Sequence, residues 1–160
     1  MNSTLVREWR RDNRPDWGHG PWTDEPDKVQ WVDEETGLDC LAVRHPKRGH
    51  WCGYVGVAEG HPWFGKHYNE VRLADVEEWP SVHGGLTFSD LCREGDESEA
   101  ICHVPFAGRP DKVWWLGFDC AHCDDIQPIY PKRWTERSQY RDLQYIKSEC
   151  ADLARQAAQK

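Results

Sequence analysis

The sequence predicts an α+β fold: a mixed or antiparallel β-sheet with long irregular loops, and a C-terminal α-helix packed on it. Three observations carry this. Short strand-like runs alternate with Gly- and Pro-bearing connections. The run Val113-Trp114-Trp115-Leu116-Gly117-Phe118 is apolar on both faces, as a central strand is. Tyr140, Leu143, Ile146, Cys150 and Leu153 recur at helical spacing and mark one buried stripe. A chain of 160 residues fits one domain, read as an irregular N-terminal segment (1–37), a sheet core (38–134) and the helix (135–158).

Taken in order, residues 1–30 are rich in Arg, Asp, Pro and Trp and read as irregular or briefly helical, pinned by Trp17 and Trp22. Leu38 to Val43 and His50 to Val57 read as two strands of a hairpin, joined by the turn at Pro46 to Gly49. Glu59 to Tyr68 is a loop dense in His and aromatic residues, and such loops carry function more often than framework. Asn69 to Glu78 holds a short helical turn closed by Pro80, and Val82 to Phe88 is a turn entering a strand. Arg93 to Glu99 reads as an exposed acidic loop. Ala100 to Phe106 and Lys112 to Asp119 read as further strands, and Cys120 to Pro131 as irregular. Thr135 is placed as the helix cap, with Glu136 at the positive end of the helix dipole.

Composition narrows function. A formal charge of −8 opposes nonspecific binding to duplex nucleic acid, where Lys and Arg neutralise phosphates. No run approaches a membrane span, and Met1 to Asn13 lacks the apolar core of a secretory signal. A cytoplasmic protein whose seven cysteines are mostly reduced, buried thiols is therefore expected. Ten tryptophans in so polar a chain fit either an aromatic core or a surface that holds flat ligands, and the two are compatible.

Three segments join glycine to groups that titrate near neutrality, each at a predicted strand end. The first comprises His50 and Trp51 with His61 and Trp63; the second is His83-Gly84-Gly85-Leu86-Thr87; the third holds Asp119 and His122. Paired glycines can turn backbone amides toward an anion, and a neighbouring imidazole can bind phosphate or move a proton. The plainer reading is a tight turn capped by His83. Asp119 and His122 have the composition of an oriented acid–base pair, or of an Asx turn at a strand end. His83, Asp119 and His122 are the candidate catalytic residues. His50, Trp51, His61, Trp63, Gly84, Gly85, Thr87 and Trp115 are the candidate ligand-binding residues. Alternation sends Trp114 and Trp115 to opposite faces, so at most one of them meets a ligand.

Cys120-Ala121-His122-Cys123 has the look of half a zinc site, with Cys102-His103 as a weak second half; Asp119, His122, Asp124 and Asp125 offer ligands to a harder ion. Unmetallated thiols are the favoured reading, and no cofactor is expected. There is no nucleophile elbow, P-loop or dinucleotide fingerprint.

The runs Gly49 to Gly56, Val82 to Thr87 (VHGGLT) and Trp115 to His122 (with GFDCAH), together with Tyr145 to Cys150, resemble small uncharacterised proteins of phages and prophages. Such small proteins with a ligand pocket often resemble counter-defence factors, which sequester or degrade nucleotide immune signals such as cyclic oligonucleotides and cyclic ADP-ribose derivatives. The resemblance implies inactivation of a nucleotide-derived signal; two histidine centres plus an aspartate exceed what tight binding requires, which favours phosphodiester hydrolysis over a sponge that holds the ligand intact. Trp51 and Trp63 would then hold a base or ribose, and His83 with Gly84 and Gly85 a phosphate. An adaptor that binds protein through exposed aromatics and a small zinc-supported domain are the other readings. A homo-oligomer is compatible with all of them.

Overall fold

The computed structural model describes residues 4–73, 80–106, 108–130 and 134–160. Six antiparallel strands form one sheet: β1 (Thr4–Trp9), β2 (Lys28–Val32), β3 (Asp39–Arg44), β4 (Trp51–Ala58), β5 (Phe88–Asp90) and β6 (Val113–Asp119), in the order β1-β2-β3-β4-β6-β5. A short helix, α1 (Tyr68–Leu73), and a long one, α2 (Leu143–Ala158), complete the chain. This is the α+β arrangement expected, with α2 packed on the sheet.

Strict alternation gives the sheet two apolar faces. Val29, Trp31, Cys40, Ala42, Trp51, Val55, Val57, Leu116 and Phe118 point to one face and meet Ile146, Cys150, Leu153, Ala154 and Ala157 of α2. Leu41, Val43, Tyr54, Val113 and Trp115 point to the other. Close packing of α2 explains Gly53, where a Cβ would overlap the Phe118 ring and crowd the Cys150 sulfur. The second face is covered by the irregular segment around Cys92 and Ile101.

The N-terminal 37 residues are not the irregular segment expected, because they contribute β1 and β2. Their polar residues hid the strands. Lys28 and Gln30 are fully buried in β2, and partners on the segment that covers the second face satisfy them. Lys28 Nζ donates to the Glu97 and Cys102 carbonyls at 2.6 and 2.9 Å, and Gln30 exchanges hydrogen bonds with the backbone of Val104. That exchange also explains why Ala100 to Phe106 is no strand: its backbone pairs with side chains rather than with a ladder. Trp17 and Trp22 do pin the segment, buried with indole bonds to the Lys47 and Gly18 carbonyls.

α2 begins later than expected. Asp142, not Thr135, is the N-cap, accepting from the Tyr145 amide at 2.8 Å. Thr135 sits in a separate turn with Ser138. The turn expected over Asn69 to Glu78 is helical as far as Leu73; residues 74–78 lie outside those described. No helix among the described residues is long and apolar enough to cross a membrane.

Candidate functional site at the end of strand β6

The central strand β6 ends at Asp119, and the chain turns at once, with a backbone bond from Cys120 to Trp51 at 3.1 Å. A second turn, His122 to Asp125, is closed by the Asp125 amide on the His122 carbonyl and passes through Asp124 at φ 68°. Non-glycine residues seldom adopt that left-handed backbone, although aspartate tolerates it better than most. The turn swings His122 and Asp125 back toward the strand end. Opposite them lies the Val82–Gly85 turn, in which Gly84 at φ 68° approaches so closely that a Cβ would overlap the His122 imidazole.

The rings of His83 and His122 therefore stand 5.9 Å apart, from segments about forty residues distant in sequence. Each has its own carboxylate. His122 Nε2 lies 3.3 Å from Asp119 Oδ1, and His83 Nε2 lies 2.7 Å from Asp125 Oδ2. Asp119 is further held by the Thr87 hydroxyl at 2.9 Å and the Ala121 amide at 3.1 Å. One aspartate thus has both His122 as a close neighbour and the amide bond of an Asx turn.

The two histidines differ in freedom. The Tyr145 hydroxyl lies 2.7 Å from His83 Nδ1 and 2.9 Å from Glu149, and Asp125 lies 2.7 Å from His83 Nε2, so both ring nitrogens of His83 are engaged. With its side chain 13% exposed, His83 is a fixed group beneath the turn. His122, 38% exposed, keeps a face to solvent.

Asp125 organises this centre. Its side chain is fully buried, takes the His122 amide at 3.0 Å and pairs with Arg141 Nε at 3.0 Å. Burial pushes its pKa up, but the bonds from His83, the His122 amide and Arg141 outweigh it and hold the carboxyl below its ordinary range. His50 lies close enough for the charges of Asp119 and Asp125 to bear on it. Burial, seconded by His45, pushes its pKa down to about 4, and its Nδ1 has no partner.

His83, Gly84, Thr87, Asp119 and His122 are thus brought together. Other expected ligand contacts are not. Trp51 is wholly buried beneath α2, with the Arg44 guanidinium 4.4 Å from its ring. Trp115 is wholly buried on the opposite face. Trp63 is buried, and His61 bonds the Ala157 carbonyl at 2.8 Å near the far end of α2. Ala157 lies twelve residues beyond Tyr145, about 18 Å along the helix. The Gly85 amide bonds the Val82 carbonyl at 2.8 Å, so the turn offers no two-amide anion nest. These residues belong to packing and turn closure because large aromatic surfaces gain more from burial than from a rim.

Arg141 and Tyr145 were missed by the sequence reading, and Asp125 was seen only as an ion ligand. Tyr145 directly precedes the buried Ile146, and that adjacency was its one visible signal. Two hollows, of about 810 and about 310 Å³, open elsewhere, and none of His83, Asp119 and His122 lines either. The larger carries Glu25, Asp33, Glu35, Asp142 and Asp152 against Lys147 and Arg155, an acidic excess unsuited to phosphate.

For metal chemistry, His83, Cys120 and Asp125 offer ligand atoms within 4.8 Å of one another. Asp125 is already committed to Arg141, and burial raises the Cys120 thiol far above its ordinary range, which opposes the thiolate a metal needs. The zinc half-site read at Cys120 and Cys123 does not gain Cys102-His103 as its complement. Cys102 is instead disulfide-bonded to Cys92; the other five, Cys40, Cys52, Cys120, Cys123 and Cys150, are free, in keeping with the mostly reduced thiols expected. Comparison with known protein families, curated proteins and solved structures gave no match.

Proposed function

We propose that this protein binds a nucleotide-derived signalling molecule at the end of β6 and hydrolyses a phosphodiester bond in it, serving a phage in counter-defence. The observation that carries the chemistry is the pairing of two unequal histidines, 5.9 Å apart, each with its own carboxylate. His122, oriented by Asp119 and open to solvent, takes the proton of an attacking water. His83, held by Asp125 and Tyr145, stays in place beside the phosphate. Arg141, at the rim, supplies a cation that favours the phosphate and the charge developing on it. This follows the sequence reading, in which His83 holds phosphate and Asp119 with His122 assists proton transfer.

Hydrolysis is favoured over sequestration because two histidines, each with its own carboxylate, exceed what tight binding requires. The biological role rests on the resemblance to phage proteins alone.

The experiment is incubation with cyclic mono-, di- and oligonucleotides and cyclic ADP-ribose derivatives, followed by denaturation and mass analysis of what is released. Linearised or shortened product is expected. His122→Ala slows turnover by about 10²–10⁴-fold while ligand still binds. Stoichiometric recovery of intact ligand would establish a sponge instead. Failure to bind any of these compounds would remove the nucleotide reading altogether.

A further inference from the structure

The smaller hollow is lined in part by Lys28, Glu97, Cys102 and His103, with Cys92 beside them packed against the second face of the sheet. Cys92 and Cys102 are joined, and His103 Nδ1 lies 3.7 Å from the Cys92 sulfur. The other ring nitrogen of His103 faces the Pro110 carbonyl at 3.2 Å. A carbonyl only accepts, so Nε2 carries the proton and Nδ1 turns a lone pair toward the sulfur. The Trp115 indole N–H is directed at the same sulfur, at 3.5 Å. A backbone carbonyl that fixes the tautomer of a ligand histidine and a donor that stabilises a thiolate are how proteins prepare the surroundings of a metal.

We propose that, once the disulfide is reduced, Cys92, Cys102 and His103 bind a soft divalent cation of the zinc type, with the fourth position facing the hollow. Tetrahedral zinc, with Zn–S of about 2.3 Å and Zn–N of about 2.1 Å, separates sulfur from nitrogen by about 3.6 Å. The Cys92 and His103 atoms already stand at that spacing. Lys28 does not occupy the ligand position, because its ammonium donates to the Glu97 and Cys102 carbonyls and braces the loop. Reduction by a cellular dithiol breaks the S–S bond, leaves a proton on each sulfur and converts the dithiol to its own disulfide. The cation then takes both thiolates and releases those two protons to solvent. The site is separate from the His122 centre and does not depend on its chemistry.

The test is anaerobic Co²⁺ titration of the chain after reduction by a phosphine and removal of the reductant. One ion per chain is expected, with thiolate-to-cobalt charge transfer and tetrahedral visible bands that Zn²⁺ abolishes; the oxidised chain shows neither. Cys102→Ser and His103→Ala each weaken Zn²⁺ binding by about 100-fold or more, since loss of an outer-shell partner alone costs about 10–100-fold. Cys120→Ser, which opens the other Cys/His/Asp group, leaves binding unchanged. Equal binding by oxidised and reduced chains, no binding after reduction, survival in both the Cys102 and His103 variants, or loss in Cys120→Ser would each overturn the proposal. The comparison of oxidised with reduced chain needs no substitution, so a variant that fails to fold cannot obscure the result.

Discussion

Arg44 and His83 are each tied to a carboxylate, yet they stand in opposite relation to water. Arg44 is wholly buried against the Trp51 ring, bonded to Glu25 and paired with Asp27, which also takes Arg14 at 2.8 Å. Tyr140 donates to the same Glu25 carboxylate. That cluster fastens β3 and β4 to the N-terminal segment, and every charge in it faces another. At the end of β6 the ionic chain is equally dense, but it runs outward, from the buried Asp125 side chain and His83 to half-buried Asp119 and exposed His122. The difference teaches that charge inside this molecule serves cohesion, and that the proposed chemistry belongs where the network meets solvent. A buried pair holds structure because losing one partner strands the other.

The sharpest way to break this comparison is Arg44→Met, which leaves Glu25 and Asp27 without their shared cation. A loss of about 3–5 kcal/mol in chemical denaturation is expected; a loss below about 1 kcal/mol would mean the interior network contributes little. Next comes pH. His50 titrates at about 4 when folded, below its ordinary 6.5, so the native state favours the neutral ring. Its contribution is whole above pH 6.5 and declines as pH falls toward 4, by up to about 3 kcal/mol. Denaturation midpoints at pH 7, 5.5 and 4 should trace that decline, and His50→Phe should flatten it.

Asp125→Asn is intermediate, since it leaves His83 and Arg141 without their anion. A cost of about 1–3 kcal/mol is expected. Because the Asp125 carboxyl titrates below its ordinary value, its contribution is complete above about pH 4 and is lost only under stronger acid. The variant should therefore show a weaker acid transition there. His122→Ala is the smallest in stability, within about 0.5 kcal/mol as for an exposed side chain, although the proposed turnover depends on it. Calorimetry of this variant beside the wild type separates the rim from the interior: a large destabilisation would make His122 another structural tie.

The hairpin of β3 and β4, central β6 and the stripe of α2 were legible because their residues follow plain rules of alternation and helical spacing. β2 was not, since Lys-Val-Gln-Trp-Val buries its polar members and satisfies them from segments some seventy residues away. Tyr140 was read into the helix because its ring packs against the same core from the turn before the cap. At the site, glycine pairs and a strand end located His83, Thr87, Asp119 and His122. The aromatic wall failed for a different reason: spacing does not show which tryptophans the interior claims. Asp125 hid in an ordinary acidic run, since only the αL backbone at Asp124 turns it inward.

Glu25 also takes the backbone N–H of Leu143, 118 residues further on, at 2.7 Å. One carboxylate near the start of the chain thus caps the helix at its end. The first turn of α2 is therefore satisfied in full only when residues 118 positions apart are both in place. Trimming the chain to begin at Leu38 would remove both anions of Arg44 and, with Glu25, one of the two carboxylates that hold the first turn of α2, and the remainder should not assemble on its own.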